Sequence, residues 1–335
     1  MDVRQIEVAS DAADERLDKL VARVWTDHSR SFWHRQITAG RVRVNGRAEK
    51  GGYLVRAGQI VSCAFEPEAP LILSAPDPGA AVLPDWVVYC DADLLVINKP
   101  RQLVVHPSAG HWTDSVVHRL LPWLPQADGE VRPGVVHRLD RDTSGLMVLA
   151  RNARARERLS RAIQERTVTR QYVAVVRGTL RPEMGTIDAP IGRDPANRLK
   201  MAVVQDGREA RTHYRTAARW DGASLLVCTL DTGRTHQIRV HAAALGHPVL
   251  GDTTYGGRHA AFAAGQMLHA GRLSFFHPAS GEAMVFESAP PEDWKQLTEL
   301  GTPEVASPWL YDSTAGPDTA HWLSERGFSE VLRRS

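Results

Sequence analysis

The chain has 335 residues, 43% of them hydrophobic, which predicts a globular protein with one large domain and smaller pieces. No run of about 18 uncharged apolar residues occurs, and three scattered cysteines form no CxxC pair, so we expect no membrane span, disulfide framework or zinc knuckle. The scattered cysteines favour a reducing cytoplasm, and the net charge of +2 hides two basic blocks and one acidic block, which favour a polyanion-binding face.

Residues 15–63 have the pattern of a compact αβ unit. Apolar residues at helical spacing predict a helix from Glu15, and a second helix over 29–37 ends at an Ala-Gly pair. Alternation predicts a strand at 42–44, followed by an Asn-Gly hairpin turn and a last strand at 59–61. The block 15–60 holds ten Lys/Arg against four Asp/Glu, although solvated helix faces would give the same excess.

Residues 64–83 are rich in Pro and Ala and are typical of a linker. Beyond them short strands dominate and do not alternate strictly with helices, which predicts an α+β fold with a mixed, mainly antiparallel sheet. The acidic tail after 300 contains a weak helix at 319–333, and no role can be assigned to it. The predicted strands are 86–90, 94–98, 146–150, 168–176, 209–219, 223–230, 268–276 and 283–287, with helices near 114–121, 153–166 and 235–245.

Residues 134–146 are the most informative stretch, because a polar cluster there is followed at once by an apolar strand. Asp140 lies between Arg138 and Arg141, whose charges favour its anion and suit a nucleophile better than a general acid. Residues 143–145, Thr-Ser-Gly, predict a tight turn that holds this loop. Spacing alone favours a plainer interpretation, a surface turn with a local ion pair.

The string HRLDRDTSG at 137–145 closely resembles the signature of the RluA-type family of RNA pseudouridine synthases. Further motifs follow in the order of that family, and the resemblance covers about residues 86–290. One departure is Arg101-Gln102, where the family often has a small residue and glycine, which puts the local turn in doubt. The other matching segments are 93–107, 171–178, 232–241, 251–257 and 268–270.

The N-terminal unit resembles a second family, the S-four-type RNA-binding module. Such modules present a basic face to structured RNA, and the candidate contacts here are Arg30, Arg35, Arg41 and Lys50. The alternative is a small packing unit without a ligand. The resemblances together predict an S-four-type domain at 15–75, the linker at 64–83, a catalytic domain at 84–295 and a C-terminal extension at 300–335.

The family resemblance implies isomerisation of uridine to pseudouridine within RNA, with Asp140 as the catalytic residue. It leaves open whether the carboxylate attacks the base, attacks the sugar or removes a proton from the sugar. Arg239 resembles the family arginine that pairs with this aspartate, and a charge-assisted bond of this kind is strong and directional. The alternative for Arg239 is an ordinary charge on a helix surface.

Two further substrate-binding residues follow from the resemblance. Tyr172 is expected to pack its ring against the target uracil, with Val173 and Val175 on the opposite face of the strand, and the alternative is a core tyrosine. Because a uridine in folded RNA must leave its stack, we expect base flipping, with Arg138 occupying the vacated space. A phosphate contact or a structural pair with Asp142 is the alternative for Arg138.

The expected partner is structured RNA, and the resemblance favours the RluD-like branch that acts on large-subunit ribosomal RNA, with transfer RNA as the alternative. We expect a cytoplasmic monomer. A methyltransferase would need a Gly-rich cofactor loop, and a hydrolase a nucleophile elbow or paired carboxylates, none of which we find. A pure RNA-binding factor stays open. We expect no cofactor and no metal, because the implied isomerisation involves no redox change and no outside group, and His236 and His241 are poorly spaced for two metal ligands on one helix face.

We predict that EDTA leaves the activity unchanged, because an isomerisation without redox change needs no metal. The measurement is pseudouridine formation before and after dialysis against the chelator. A loss of activity that added divalent ions restore would contradict this expectation, provided that the RNA substrate keeps its fold.

Overall fold

The computed structural model describes residues 2–26, 30–65, 82–107, 114–125, 132–259, 265–301 and 303. The chain divides into two compact units, Met1–Ile72 and Leu73–Ser335. Among the helices of the described ranges, none is both long enough and apolar enough to cross a bilayer. The weak helix expected at 319–333 lies outside the described residues.

The first unit is a four-stranded antiparallel sheet with two helices. The hairpin turn is confirmed, because Asn45 and Gly46 both have positive φ, 47° and 77°, as a two-residue hairpin loop requires. The strand order is β1-β4-β2-β3. The elements are β1 (Asp2–Glu7), α1 (Leu17–Val24), α2 (Arg30–Thr38), β2 (Val42–Val44), β3 (Arg47–Ala48) and β4 (Ile60–Phe65).

Two features of this unit differ from the sequence prediction. Strand β1 pairs with β4 but was not predicted, because it is an edge strand with Val3 69% exposed and shows no alternating apolar face. Strand β4 runs on to Phe65, past the predicted end at Val61 and into the stretch assigned to the linker. Residues 66–81 of that stretch lie outside the described residues.

The second unit contains all eight predicted strands, each within a few residues of its expected bounds. The three predicted helices are also present, α3 (Val116–Leu120), α4 (Ala153–Gln164) and α5 (Gln237–Ala244). Three short strands were not predicted, because two span only three residues and the third is largely exposed. The strands are β5 (Val87–Cys90), β6 (Leu94–Lys99), β7 (Ser144–Ala150), β8 (Thr169–Arg177), β9 (Met184–Asp188), β10 (Ile191–Arg193), β11 (Met201–Val203), β12 (Arg211–Trp220), β13 (Ala223–Leu230), β14 (Leu268–Phe276) and β15 (Ala283–Glu287).

Nine of these strands form one sheet in the order β5-β6-β7-β14-β8-β13-β12-β9, with β15 added to β14, while β10 and β11 form a separate pair. All strand pairs are antiparallel except β7 with β14, which confirms the α+β, mainly antiparallel class. The parallel contact is short, since only His269 and Ala270 pair with Ser144 and Gly145. We call this contact the seam, and beyond it β7 and β14 diverge.

The two faces of the sheet bury different clusters. Tyr172 packs with Ala174 and Val176 in the larger cluster, whereas Val173 and Val175 belong to a cluster on the opposite face. This confirms the predicted alternation along β8. Helix α5 contributes to the Tyr172 side, and α4 packs behind the sheet with Ala155 and Leu159.

Close packing at the seam predicts that Gly145→Ala lowers the free energy of unfolding. A β-carbon at Gly145 would lie 2.3 Å from the Ala270 oxygen, and φ there is +112°. Gly222→Ala is the matched control, because it also has positive φ but no atom within 4 Å. We expect Gly145→Ala to cost at least about 1 kcal/mol more than the control in urea unfolding, since overpacking adds to backbone strain. Equal losses would contradict tight packing at the seam.

Candidate functional site

The segment before Asp140 lies along the edge of β7 where β14 has diverged. The Ala150 amide donates to the Gly134 carbonyl at 2.8 Å, and the Val148 amide donates to His137 Nε2 at 3.1 Å. The chain then turns at 141–142, where the Thr143 amide donates to the Asp140 carbonyl at 3.2 Å. The predicted turn at 143–145 is therefore wrong by two residues, because Ser144 and Gly145 already belong to β7.

The side chain of Lys99, at the end of β6, holds the loop that carries Asp140. It is fully buried, and Nζ donates to the carbonyls of Pro100, Leu103 and Arg141 at 2.8, 2.9 and 3.0 Å. Burial lowers the pKa of Lys99 to about 7, although the charge of Asp142 acts in the opposite direction. The bond to Arg141 ties the end of β6 to the residue that follows the candidate aspartate, and the other two fix the turn after β6.

Arg239 on α5 is 5% exposed and bridges two carboxylates. Its Nη1 donates to Asp140 Oδ2 at 2.8 Å, while Nε and Nη2 donate to the two oxygens of Asp252 at 2.7 and 3.1 Å. Burial alone would lower the pKa of Arg239, but hydrogen bonds to Asp252 and the charge of Asp140 outweigh it and raise the pKa. The alternative of a helix-surface charge is wrong.

Asp252 positions the guanidinium and was not predicted as a site residue. It is 1% exposed, and its Oδ1 also accepts from the amides of Thr254 and Tyr255 at 2.9 and 3.2 Å. The sequence signal was the Gly-Asp pair at 251–252, which the family resemblance includes but to which it assigned no role. Its function follows only from the tertiary contact with Arg239.

His236 also adjoins Asp140, which sequence reasoning missed. Its Nε2 lies 3.9 Å from Asp140 Oδ1, and its Nδ1 is 2.8 Å from the Tyr255 hydroxyl. Burial lowers the pKa of His236, against the charge of Asp140, and so favours the neutral ring. His241 is structural, since its ring is buried and bonds Thr212 and the Ala189 carbonyl.

The structure brings Tyr172 to the same face and leaves Arg138 at the surface. Tyr172 is 7% exposed, and burial together with the charge of Asp140 raises its pKa. Arg138 is exposed and makes no ion pair within the described part of the chain. The suggested pair of Arg138 with Asp142 is wrong, because Asp142 accepts two bonds from Arg141 at 3.0 and 2.9 Å. Arg141 therefore bonds Asp142 and not Asp140.

A polar cavity of about 430 Å³ opens beside these residues. The cavity is lined by Gln102, Arg141, Asp142, Arg239, Gly251, Asp252, Thr253, Thr254, Gly265 and Gln266.

A second group of polar side chains, Asp91, Asp93 and His277, is close enough together to hold a cation. It lies at the opposite end of β6 and β7 from Asp140, and its members are hydrogen-bonded to one another.

The first unit has its own candidate RNA contacts. Arg41 and Lys50 are exposed, and Arg41 donates to the Gln36 side chain at 2.9 Å. Lys50 lines an open cavity of about 900 Å³ in this unit. The side chains of Arg30 and Arg35 lie outside the described part of the structure.

Known protein families match each of the two units of the chain separately. A family model described as RNA pseudouridylate synthase matches residues 93–244, and an S4 domain model matches 15–61. An uncharacterized RNA pseudouridine synthase, YlyB, of Bacillus subtilis is 43% identical over 298 residues, covering 88% of this chain and 96% of the relative. A protein of Vibrio cholerae named ribosomal large subunit pseudouridine synthase D is 42% identical, covering 88% and 94%. The solved structure of human RNA pseudouridylate synthase domain containing 1 has a TM-score of 0.52 at 26% identity, covering 74% and 94%.

Because Arg239 is buried between two carboxylates, we predict that Asp252→Ala destabilises the second unit. The substitution leaves a buried guanidinium half-paired and two backbone amides without an acceptor, so we expect a cost of about 3–5 kcal/mol in urea unfolding. Asp188→Ala is the matched control, because it breaks the exposed pair of Asp188 with Arg211, and such pairs contribute little. Similar losses from both substitutions would contradict the bridging role of Asp252.

Proposed function

This chain belongs to the RNA pseudouridylate synthase family and is an RNA pseudouridine synthase with an S4 domain, and on that premise we propose that it modifies specific uridines of large-subunit (23S) ribosomal RNA. In this proposal the target uridine is extruded from its stack, and Asp140 acts on it as the nucleophile. The observation that carries the proposal is the ion pair of Asp140 with the buried Arg239.

The reaction breaks the bond from N1 of uracil to C1′ of ribose and forms a bond from C5 to the same C1′. The proton on C5 leaves and N1 gains one, so no electrons are exchanged with an outside reagent. An ionised carboxylate suits each step that could start this exchange, and Arg239 compensates its charge. Because Oδ2 of Asp140 accepts from Arg239, Oδ1 is left for the substrate, and it has no hydrogen bond among the described residues.

The side chains around Asp140 suit the binding of one nucleotide that has been extruded from an RNA helix. Tyr172 offers an aromatic ring on the same face of the sheet, and stacking of a base on such a ring contributes roughly 1–3 kcal/mol. Arg138 is exposed and has no competing ion pair among the described residues, so it is available to fill the space that the extruded base leaves.

The choice of ribosomal RNA rests on the relatives and on the S4 domain. Relatives from Vibrio cholerae and Neisseria meningitidis are named ribosomal large subunit pseudouridine synthase D. We propose that the S4 domain, within residues 15–75, contributes affinity through Arg41 and Lys50, and that the enzyme acts as a cytoplasmic monomer. Mapping pseudouridines in RNA from cells with and without the gene tests the target, and a difference confined to transfer RNA would overturn it.

Asp140→Asn is expected to abolish turnover while RNA affinity stays within about threefold, which is less than about 1 kcal/mol. The amide keeps the shape of the carboxylate but loses its charge and nucleophilicity. The measurement is tritium release from RNA labelled at C5 of uridine, which also separates an enzyme from a pure RNA-binding factor. Asp188→Asn is the control, since that exposed carboxylate pairs with Arg211 and does not line the cavity, and retained turnover in Asp140→Asn would remove Asp140 from its role.

Arg138→Ala should reduce turnover more on folded RNA than on a short single-stranded fragment that contains the same uridine. A base in a fragment is already unstacked, so filling its former place gains nothing there. Comparing kcat/KM for the two substrates measures the effect. Equal losses on both would mean that Arg138 has a role unrelated to flipping.

A further inference from the structure

A second buried arginine near the site has no protein partner among the described residues. Arg170, on β8, is 6% exposed, and its Nε is fully enclosed without an acceptor. A guanidinium has only donors, and among the described residues no carboxylate or carbonyl accepts a hydrogen bond from Nε of Arg170. Its terminal nitrogens are not among the enclosed unpaired atoms, so the side chain opens to solvent only at that edge.

Three segments that carry site residues meet at Arg170. It lies two positions before Tyr172 on the same face of β8, about 7 Å along the strand. A β-carbon on Gly233 would lie 2.9 Å from Arg170 Nη1, so the loop that leads to His236 passes directly over the guanidinium. Burial and the charge of Arg170 lower the pKa of His137, in the segment that leads to Asp140, to about 3.

The short chain segment between Gly233 and His236 limits how far Arg170 can lie from Asp140. Gly233 and His236 are three residues apart, which spans at most about 11 Å, and His236 Nε2 lies 3.9 Å from Asp140. The Tyr172 phenol is near enough to both charges to feel them, since Asp140 raises its pKa and Arg170 lowers it. A nucleotide bound at Asp140 therefore comes close to the open edge of Arg170.

A buried cation without a counter-charge is unfavourable, and proteins retain one mainly where a ligand supplies the anion. The anion that RNA offers is the phosphodiester, and the planar fork of arginine matches its two free oxygens. Resting on the proposed function, we propose that Arg170 binds a backbone phosphate next to the extruded uridine. It is thus a further substrate-binding residue, acting through Nη1 and Nη2.

The test is steady-state kinetics of tritium release from transcribed 23S ribosomal RNA labelled at C5 of uridine, at 50–200 mM KCl, roughly the range in which phosphate contacts weaken strongly. The wild-type chain must first release tritium, and its failure to do so would sink the proposed function itself. With an active wild type, Arg170→Gln should raise KM about tenfold with kcat within about threefold. The slope of log KM against log salt should fall by about 0.7–1.

Arg161→Gln is the matched control, because Arg161 is exposed on α4 behind the sheet and pairs with Glu157 there; it should change neither KM nor slope. A fall in kcat with unchanged KM and slope would overturn the phosphate contact, because a contact to the base or a structural role gives that result. If Arg170→Gln fails to fold, Arg170→Lys serves instead, since it keeps the charge and loses the fork. We expect an intermediate KM with the wild-type slope, and an unchanged KM would equally overturn the proposal.

Discussion

The pairing of one buried guanidinium with two carboxylates is the constraint on which the site depends. Arg239 could not be buried alone, since an unpaired charge of that kind costs several kcal/mol. Asp252 accepts from two of its three nitrogens and Asp140 accepts from the third, so the Asp140 carboxylate is oriented by a group that Asp252 also holds. Under the proposed function, this fixed position lets Asp140 meet a bound uridine in one defined geometry.

The sheet supplies the place for this pairing. Divergence of β7 and β14 beyond the seam leaves an edge of β7 that the segment 134–137 occupies, and that segment delivers Asp140 to the end of β7. Lys99 holds the following turn from the end of β6, and α5 brings Arg239 from a point 99 residues further along the chain. The site is therefore assembled from strand ends and one helix rather than from a single loop.

Alternation and helical spacing predicted the main strands and helices because each of them buries one face. They missed β1 and β9 to β11, which are short or exposed and carry little periodic signal. The nearness of Asp140 to Arg239 was expected only from family resemblance, because no local pattern links residues so far apart. Asp252, His236 and Lys99 were missed for the same reason, since their roles consist of tertiary contacts.

The seam has a consequence for behaviour in acid. Strand β7 is held on that side by two neutral histidines, His269, whose Nδ1 accepts from Ser144 while Nε2 donates to Ser288, and His137, which accepts from Val148. Burial lowers the pKa of His269 to about 4 and that of His137 to about 3, from the usual value near 6.5. The unfolded chain thus takes up protons first as the pH falls below 6.5, and folding stability declines toward pH 4. Acidification therefore weakens the contacts that hold β7 to β14 and to the segment leading to Asp140, because protonation of His269 and His137 removes the two nitrogen acceptors.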